Sequence, residues 1–264
     1  MRLPDSPLLE AFWSALAGAP TAALLLDYDG TLAPFHIDPA MAHPYPGVEP
    51  LLDRIGRLEE DRLVIVSGRA LDTLCPLLQL HVQPEFWGCH GRERRLPDGR
   101  HSSTPLPDAA RLALAEAEGW TATVMELGGR VERKPGSLAF HWRGLAPGHQ
   151  RGLERDLEKR FAALAPAGTL LWHAFDGGIE LRAPDCDKGQ AVRQVLAELE
   201  QGAGVAYLGD DHTDEDAFRA LDGHGLRVLV RPKWRATAAD LWLRPPEGLR
   251  TFLGRWADIR EQTR

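Results

Sequence analysis

The sequence predicts an α/β core built around a parallel β-sheet and interrupted by an inserted α+β module. Short apolar runs that end at turns alternate with helical patterns near the start of the chain and again near its end. Such runs are typical of parallel strands that are covered on both faces. The middle of the chain instead alternates polar and apolar residues, which indicates an antiparallel sheet. We predict a core of residues 1–100 and 184–264, with the inserted domain at residues 101–183.

The core elements are assigned in chain order from these patterns. A helix is predicted where Leu51, Leu52 and Ile55 recur at helical spacing, and a later helix ends before Gly202. Thr213 and the acidic residues after it are typical of a capping box that starts a helix. The predicted core elements are strands at 22–26, 63–66, 85–89, 205–208 and 226–230, helices at 48–60 and 190–201, and the helix that starts at Thr213.

The inserted domain has its own elements. Pro135 and Gly136 predict a turn between two strands, and Gly177 with Gly178 predicts a second turn. Alternation places Ser137, Ala139 and His141 on one face of a strand. The predicted elements are helices at 108–118 and 151–164 and strands at 130–134, 137–143, 170–173 and 179–182.

Composition and charge limit the class of protein. The chain has 264 residues, of which 44% are hydrophobic and 26% charged, as expected of a globular protein with a real core. Its net charge of −7 argues against a nucleic-acid partner, which demands a basic surface. Asp5 and Glu10 interrupt any signal-peptide core, and no apolar run is long enough to span a membrane. We expect a cytoplasmic monomer with no membrane partner.

Asp27 and Asp29 follow a buried strand and stand one residue apart, so their carboxylates repel each other. A bound cation, a shared proton or bulk water could offset that repulsion. A calcium loop of the EF-hand type is excluded, because its glycine and glutamate positions hold Leu32 and Asp38. The sequence contains neither a phosphate-binding loop of the GxxxxGK[ST] type nor a complete GxGxxG fingerprint, so ATP and NAD are not indicated.

Further polar residues follow the ends of other predicted strands. Ser67 and Asp210 each come just after an apolar run, as Asp27 does. Ligands of parallel sheets bind outside the carboxyl ends of the strands, so these three side chains are expected to lie together. DYDGT alone is also compatible with a solvated corner after a strand. Together with Ser67, the Lys188–Gly189 pair and GDD at 209–211, it resembles the four motifs of the haloacid dehalogenase superfamily of phosphotransferases.

This resemblance implies a Rossmann-like haloacid dehalogenase core with a C2B-type cap and a Mg²⁺-dependent phosphatase. The metal would be held by Asp27, Asp210 and a main-chain carbonyl near Asp29. Asp27 would attack phosphorus, and Asp29 would act as general acid and then general base. Mutual repulsion between the two carboxylates favours the proton that Asp29 needs for the first step.

The resemblance also implies roles for the other residues of these motifs. Ser67 and Lys188 would stabilise the charge on the phosphoryl oxygens. Asp214 would orient a metal-bound water or Lys188. Asp211 is either a partner of the metal ligands or only an acid that caps a helix. Thr31 is expected to donate to the phosphate, and Arg69 to bind substrate.

The inserted domain is expected to select the substrate. Glu132 and Lys134 share a face of one strand, and Glu180 and Arg182 share a face of another. The pattern fits either an amphipathic sheet with one wet side or a carbohydrate site with charge-assisted hydrogen bonds to hydroxyls. Three basic residues near the domain boundary, Arg92, Arg94 and Arg95, are expected on the solvated surface.

Three segments resemble those of trehalose-6-phosphate phosphatases: GRVERKPGSLAFHWR, GIELRAPDCDKG and YLGDDHTDEDAF. By that resemblance Glu132, Lys134 and Glu180 would hold the distal glucose, with Arg143 or His141 nearby. Trp142 stands where tyrosine is usual, and Asp187 where asparagine is common.

The resemblance implies hydrolysis of trehalose 6-phosphate to trehalose and phosphate through an aspartyl-phosphate, the last step of trehalose biosynthesis. One alternative is another sugar phosphate, such as sucrose phosphate or glucosylglycerate phosphate. The other is a non-catalytic sugar-phosphate sensor, but such proteins tend to lose one of the two aspartates that are present here.

Overall fold

The computed structural model describes residues 6–36, 38–164, 168–175 and 177–263. The chain forms two compact units. The first comprises Met1–Ser102 and Asp187–Arg264, and the second, inserted between these two parts of the chain, comprises Ser103–Cys186.

The strands of both units are numbered together along the chain. They are β1 (Ala22–Asp27), β2 (Arg62–Val66), β3 (Glu85–Gly88), β4 (Glu93–Arg95), β5 (His101–Ser103), β6 (Arg130–Lys134), β7 (Ser137–His141), β8 (Leu171–Phe175), β9 (Gly178–Arg182), β10 (Gly204–Gly209), β11 (Leu226–Val230) and β12 (Leu241–Leu243).

The α-helices are numbered in the same way. They are α1 (Pro7–Gly18), α2 (Val48–Gly56), α3 (Leu71–Leu74), α4 (Asp108–Glu118), α5 (Thr121–Glu126), α6 (Pro147–Leu164), α7 (Lys188–Glu198), α8 (Asp214–Ala220) and α9 (Glu247–Gln262).

The first unit is built on one sheet with the strand order β12-β11-β10-β1-β2-β3-β4-β5. The strands from β12 to β3 are parallel, and β4 pairs with β3 in the antiparallel direction. In β1, Leu24 and Leu26 face a core that includes residues of α1, α2 and α9, whereas Ala23 and Leu25 face a core with α7 and α8. Helices therefore cover both faces of a parallel sheet, and the predicted α/β class is confirmed.

The second unit has a four-stranded antiparallel sheet in the order β6-β7-β9-β8. Leu138, Phe140, Ile179 and Leu181 face a core that also holds residues of α4 and α6. The opposite face carries the polar residues of the three strands β6, β7 and β9, because Lys134 pairs with Ser137 and Ser137 with Arg182 in the sheet register. The alternation that the sequence predicts is present in the structure.

Several helix bounds differ from the prediction. The helix α2 ends at Gly56 rather than at residue 60, and α7 covers Lys188–Glu198 rather than 190–201. The predicted capping box at Thr213 is wrong: Thr213 already has a helical backbone, and its side chain makes no capping hydrogen bond. Asp214 turns its carboxylate to main-chain N–H groups that precede the helix instead.

The expectation that the basic residues near the boundary lie on the solvated surface is also wrong. Arg92 is buried, with 3% of its surface exposed. Arg94 donates to Glu85 (Nε to Oε1, 2.8 Å) and to both carboxylate oxygens of Glu198. The Arg94 guanidinium is thus paired with an acid 104 positions away, which a local charge pattern does not reveal.

Across the described ranges, no helix is both long and apolar enough to cross a lipid bilayer.

Candidate active site

The carboxyl ends of three neighbouring strands carry the predicted site residues. In the parallel pairing β10-β1-β2, Leu26 lies level with Leu208, and Asp27 lies level with Val66. Asp210 therefore follows its strand at nearly the height at which β1 ends, and Ser67 follows one residue after Val66. Asp27, Ser67 and Asp210 are all buried.

Lys188 joins the carboxylates at this edge of the sheet. It is the first residue of α7, and its Nζ donates to Asp27 Oδ1 at 2.6 Å and to Asp214 Oδ1 at 2.7 Å. All three side chains are at most 4% exposed. Burial alone would lower the pKa of Lys188, but Asp214 and Asp27 raise it above its usual value, so the amine stays protonated.

Asp214 is the most heavily hydrogen-bonded acid of the group. Its Oδ1 accepts from Lys188 and from the Tyr207 hydroxyl at 2.6 Å, and its Oδ2 accepts from the main-chain N–H groups of Asp210 and Asp211 at 3.0 and 2.9 Å. These bonds place Asp214 where the sequence predicts a partner of Lys188. Sequence reasoning missed Tyr207, although a tyrosine inside a buried strand usually needs a partner for its hydroxyl.

Three of these acids form a cluster that suits a cation. Oxygen atoms of Asp27, Asp210 and Asp214 lie within 4.8 Å of one another. Burial and the charge of Asp214 raise the pKa of Asp27 to about 7, and burial and the charge of Asp27 raise the pKa of Asp210 well above its usual range. One ammonium group thus faces three buried carboxyl groups.

An unpaired oxygen supports the same conclusion. Asp210 Oδ1 is buried and has no hydrogen-bond partner among the residues described. A buried carboxylate oxygen without a partner is costly unless an ion or water satisfies it. Oxygen-only donors of this type suit a hard divalent cation. Gly30, with φ of +84°, keeps the nearby loop close, because a Cβ there would lie 2.2 Å from Asp210 Oδ2.

Asp29 has a different environment. Both of its carboxylate oxygens accept hydrogen bonds from Arg69, from Nε and from Nη2, each at 2.6 Å. Arg69 also donates from Nη1 to the Pro39 carbonyl at 2.8 Å. The Asp29 side chain is thus paired with a guanidinium group. The sequence prediction assigns a main-chain carbonyl near Asp29, and not this side chain, to the metal.

The two predicted hydroxyl groups are also placed at the strand ends. Thr31 Oγ1 donates to Asp27 Oδ2 at 3.0 Å, so it orients the carboxylate. Ser67 Oγ accepts from the main-chain N–H of Arg69 at 3.1 Å, which leaves its own proton for another acceptor.

The main chain of Asp211 is bonded on both sides. The Asp211 N–H donates to Asp214, and the Asp211 carbonyl accepts from Arg235 Nη2 at 2.6 Å.

The remaining predicted residues lie in the second unit, on the polar face of its sheet. Glu180 Oε1 accepts from Lys134 Nζ at 3.0 Å and from Ser137 Oγ at 2.7 Å. His141 Nε2 lies 2.9 Å from Glu132 Oε2, and this hydrogen bond lowers the pKa of Glu132.

The last two predicted residues differ in burial. Arg182 is buried, and its Nε lacks a partner among the described residues. Arg143 follows β7 and is exposed.

Comparisons with known proteins show the family to which the chain belongs. The chain is 34% identical over 252 residues to the trehalose-phosphate phosphatase of Mycobacterium marinum, and the match covers 90% of this chain and 62% of that protein. The chain thus spans less than two thirds of that relative's length. A probable trehalose-phosphate phosphatase of Sinorhizobium fredii is 33% identical over 255 residues, which cover 94% of this chain and 93% of the relative.

Solved structures show the same fold. The C-terminal domain of C. albicans trehalose-6-phosphate phosphatase matches with a TM-score of 0.75 at 22% identity, over 97% of this chain and 98% of that one. A haloacid dehalogenase-like hydrolase from B. subtilis matches with a TM-score of 0.59 at 14% identity, over 88% and 98%. The family model described as trehalose-phosphatase matches residues 25–240. The chain therefore belongs to the trehalose-phosphatase family, on a fold of the haloacid dehalogenase type.

Proposed function

We propose that the protein hydrolyses trehalose 6-phosphate to trehalose and inorganic phosphate. The observation that carries the proposal is the buried group of Asp27, Asp210, Asp214 and Lys188 at the carboxyl edge of a parallel sheet. Such a group combines a carboxylate nucleophile with positive charge for a phosphoryl group. The family and its named relatives supply the substrate.

A divalent cation, Mg²⁺, fits the site. Asp27, Asp210 and a main-chain carbonyl near Asp29 would hold it, and Asp210 has the unpaired oxygen that this role needs. When bound, the cation supplies positive charge that reduces the repulsion between the Asp27 carboxylate and a dianionic phosphate ester.

In the first step, a carboxylate oxygen of Asp27 bonds to phosphorus while the bond between phosphorus and the sugar oxygen breaks. Asp29 gives its proton to the leaving sugar oxygen, so that trehalose departs as a neutral alcohol. Both Asp29 oxygens accept bonds from Arg69, so this transfer requires at least one of these bonds to break when substrate binds.

In the second step, water attacks phosphorus of the aspartyl-phosphate on Asp27. Asp29, now ionised, takes the proton of that water, and the bond between Asp27 and phosphorus breaks. Phosphate leaves, the Asp27 carboxylate is restored, and Asp29 is again protonated for the next cycle.

Three further side chains would stabilise the transferred group. Lys188 has three N–H donors, of which two bond to Asp27 and Asp214 in the described structure, so the third can serve a phosphoryl oxygen. The Ser67 hydroxyl keeps its own proton and would add a neutral donor. Thr31 would donate to the phosphate only by exchanging the hydrogen bond that its hydroxyl gives to Asp27.

The polar face of the second unit would bind the sugar. Glu132, Lys134, Glu180 and Arg182 carry charges of both signs on neighbouring strands, and Arg182 has an unpaired buried Nε. Carboxylates and amines on such a face form charge-assisted hydrogen bonds with hydroxyl groups. Arg143 and His141 are proposed to assist at the end of the same strand.

A substrate panel tests this proposal. We expect faster phosphate release from trehalose 6-phosphate than from glucose 6-phosphate, sucrose 6-phosphate or glucosylglycerate phosphate at equal Mg²⁺. In E180Q, kcat/KM for trehalose 6-phosphate should fall about tenfold or more, because a hydrogen bond to a charged group contributes about 1.5–3 kcal/mol.

The matched control is E118Q, because Glu118 pairs with Arg133 on the opposite side of β6 from Glu132 and Lys134. This variant should retain the specificity of the wild type. Fastest turnover of an ester other than trehalose 6-phosphate would refute the proposal.

A further inference from the structure

Arg235 holds the main chain of the turn that presents Asp210. It lies in the segment between β11 and β12, and its Nε donates to the Asp210 carbonyl at 3.2 Å. Its Nη2 donates to the carbonyl of Asp211 at 2.6 Å. A guanidinium group can bind two neighbouring oxygens at once because its donors are held in a rigid plane. Two successive carbonyl groups are therefore fixed by one side chain.

The same turn is held from its other edge by Asp214. The N–H groups of Asp210 and Asp211 both donate to Asp214 Oδ2, at 3.0 and 2.9 Å. Arg235 and Asp214 thus engage the carbonyl and the amide sides of the same two residues. Arg231 Nη1 also donates to the Asp210 carbonyl, at 3.4 Å. Of the described side chains, Arg235 bonds both carbonyls of the turn and Asp214 accepts from both N–H groups.

Arg235 is itself held by Glu215, the acid that follows Asp214. Glu215 Oε1 accepts from Arg235 Nη1 and from Thr237 Oγ1 (2.8 Å), and its Oε2 accepts from the Ala238 main chain (2.8 Å). Glu215 is buried, with 8% of its surface exposed. A buried acid with three donors fixes both the Arg235 side chain and the segment that carries it.

Asp210 depends on this support because one oxygen of its carboxylate lacks a hydrogen bond of its own. In the part of the chain that the structure describes, Oδ1 of Asp210 has no hydrogen-bond partner. The described hydrogen bonds of this residue are made by its main chain, so they direct the carboxylate through the turn. Loss of a group that orients a metal ligand typically lowers the metal affinity about 10- to 100-fold.

We propose that Arg235, anchored by Glu215, is a positioning residue that directs the Asp210 carboxylate toward the divalent cation. This inference rests on the cation role assigned to Asp210 under the proposed function. It assigns a purpose to Glu215, which the motif GDDHTDE contains but the reaction steps do not use. Neither residue contacts the reacting phosphorus in this account.

The test is the dissociation constant of Mg²⁺, measured by titration calorimetry without substrate. Relative to wild type, R235A should bind Mg²⁺ about 100-fold more weakly, and R235K about tenfold more weakly, because an ammonium group cannot bind both carbonyls in one plane. E215Q should also weaken binding, since it removes the charge that anchors Arg235.

The matched control is R227A. Arg227 pairs with Asp222 (2.7 Å) and Asp240 (2.6 Å), in the same part of the chain but without a contact to the Asp210 turn. It should bind Mg²⁺ as the wild type does. Phosphate release at saturating Mg²⁺ should return toward wild type in R235K, while the Mg²⁺ concentration needed for half-maximal rate rises.

If R235A binds Mg²⁺ as tightly as the wild type, the inference is overturned. This holds even if the melting temperature of metal-free R235A falls, because lower stability without weaker Mg²⁺ binding is a purely structural effect. If R235A does not fold, unchanged affinity in R235K overturns it. Failure of the wild type to bind Mg²⁺ overturns it as well. A wild type that binds Mg²⁺ but does not turn over trehalose 6-phosphate refutes the proposed substrate alone, and the Arg235 variants still decide this inference.

Discussion

Single residues set the charge of the site, and Lys188 supplies an ammonium group to its buried acids. Its ammonium group is the one positive side chain that bonds Asp27 and Asp214 within the described structure. Removal of one partner from a buried ion pair is strongly destabilising, because it leaves a buried charge without compensation. Removal of Lys188 is therefore expected to affect stability as well as the proposed catalysis.

Lys188→Met should lower the free energy of unfolding by about 3–5 kcal/mol in EDTA, since two buried carboxylates lose their ammonium partner. Added Mg²⁺ should recover part of this loss, because the cation would bind one of these acids, Asp27, in the folded state only. Urea unfolding in EDTA and in Mg²⁺ measures both effects. K233A, at an exposed lysine, should match the wild type; equal stability of K188M and wild type in EDTA would contradict the account.

The sequence predicts the charged residues of the site but not the residues that hold them. Asp27, Ser67, Lys188 and Asp210 are recognisable because each follows a strand or begins a helix. Arg235 and Tyr207 are not recognisable in this way. Arg235 acts through main-chain carbonyls of a turn that is 24 and 25 positions away, and no local pattern records such contacts.

Among the elements, α7 positions Lys188, the lysine that is proposed to serve the phosphoryl group. Its N-cap residue, Asp187, accepts from the Gln190 main-chain N–H at 2.7 Å, which satisfies one of the free donors of the first turn. The same end of the helix carries Lys188 and the positive end of the helix dipole. An anionic substrate at this end of the helix would meet two sources of positive potential.

Asp187→Ala should cost about 1 kcal/mol of stability, because the cap is lost, whereas Asp187→Asn should be close to neutral. Asparagine accepts the same hydrogen bond and is common at this position in the family that the sequence resembles. Thermal unfolding of the three proteins compares them directly. A loss in D187N as large as that in D187A would show that the charge of Asp187, and not its cap, matters.

Element boundaries were less predictable than element types. The polar and apolar faces of β6, β7 and β9 follow from strict alternation, and the observed register agrees. By contrast, α2 stops at Gly56 and α7 at Glu198, both earlier than the apolar spacing predicts. Apolar residues continue beyond these helix ends because the loops that follow also pack on the core, as Leu58 does.

At the scale of the whole molecule, long-range ion pairs connect distant parts of the first unit. Arg260, on α9, donates from Nε and Nη2 to both oxygens of Asp61, at 2.9 and 2.8 Å, and from Nη1 to the carbonyls of Leu16 and Ala19. The pair is almost completely buried and spans 199 positions. No sequence pattern predicts it, since neither residue belongs to a motif.

Arg260→Met should destabilise the protein by about 3–5 kcal/mol, because the buried Asp61 loses its bidentate partner. Since Arg260 lies outside the site, kcat per folded molecule should stay at the wild-type value. Chemical unfolding and an active-site titration separate the two effects. R54M removes an arginine that also bonds two acids but keeps 34% of its side-chain surface exposed, and it should cost at most about 1 kcal/mol. Equal losses in both variants would contradict the argument.

The central claim is that Asp27 forms a bond to phosphorus with the help of a divalent cation in the buried acid cluster. Phosphate release from trehalose 6-phosphate, by wild type and D27N, with Mg²⁺ and after EDTA, tests it most directly. We expect the wild-type rate to vanish in EDTA and return with Mg²⁺, and D27N to be at least about a thousandfold slower. A D27N rate equal to wild type, or full activity in EDTA, would contradict the account.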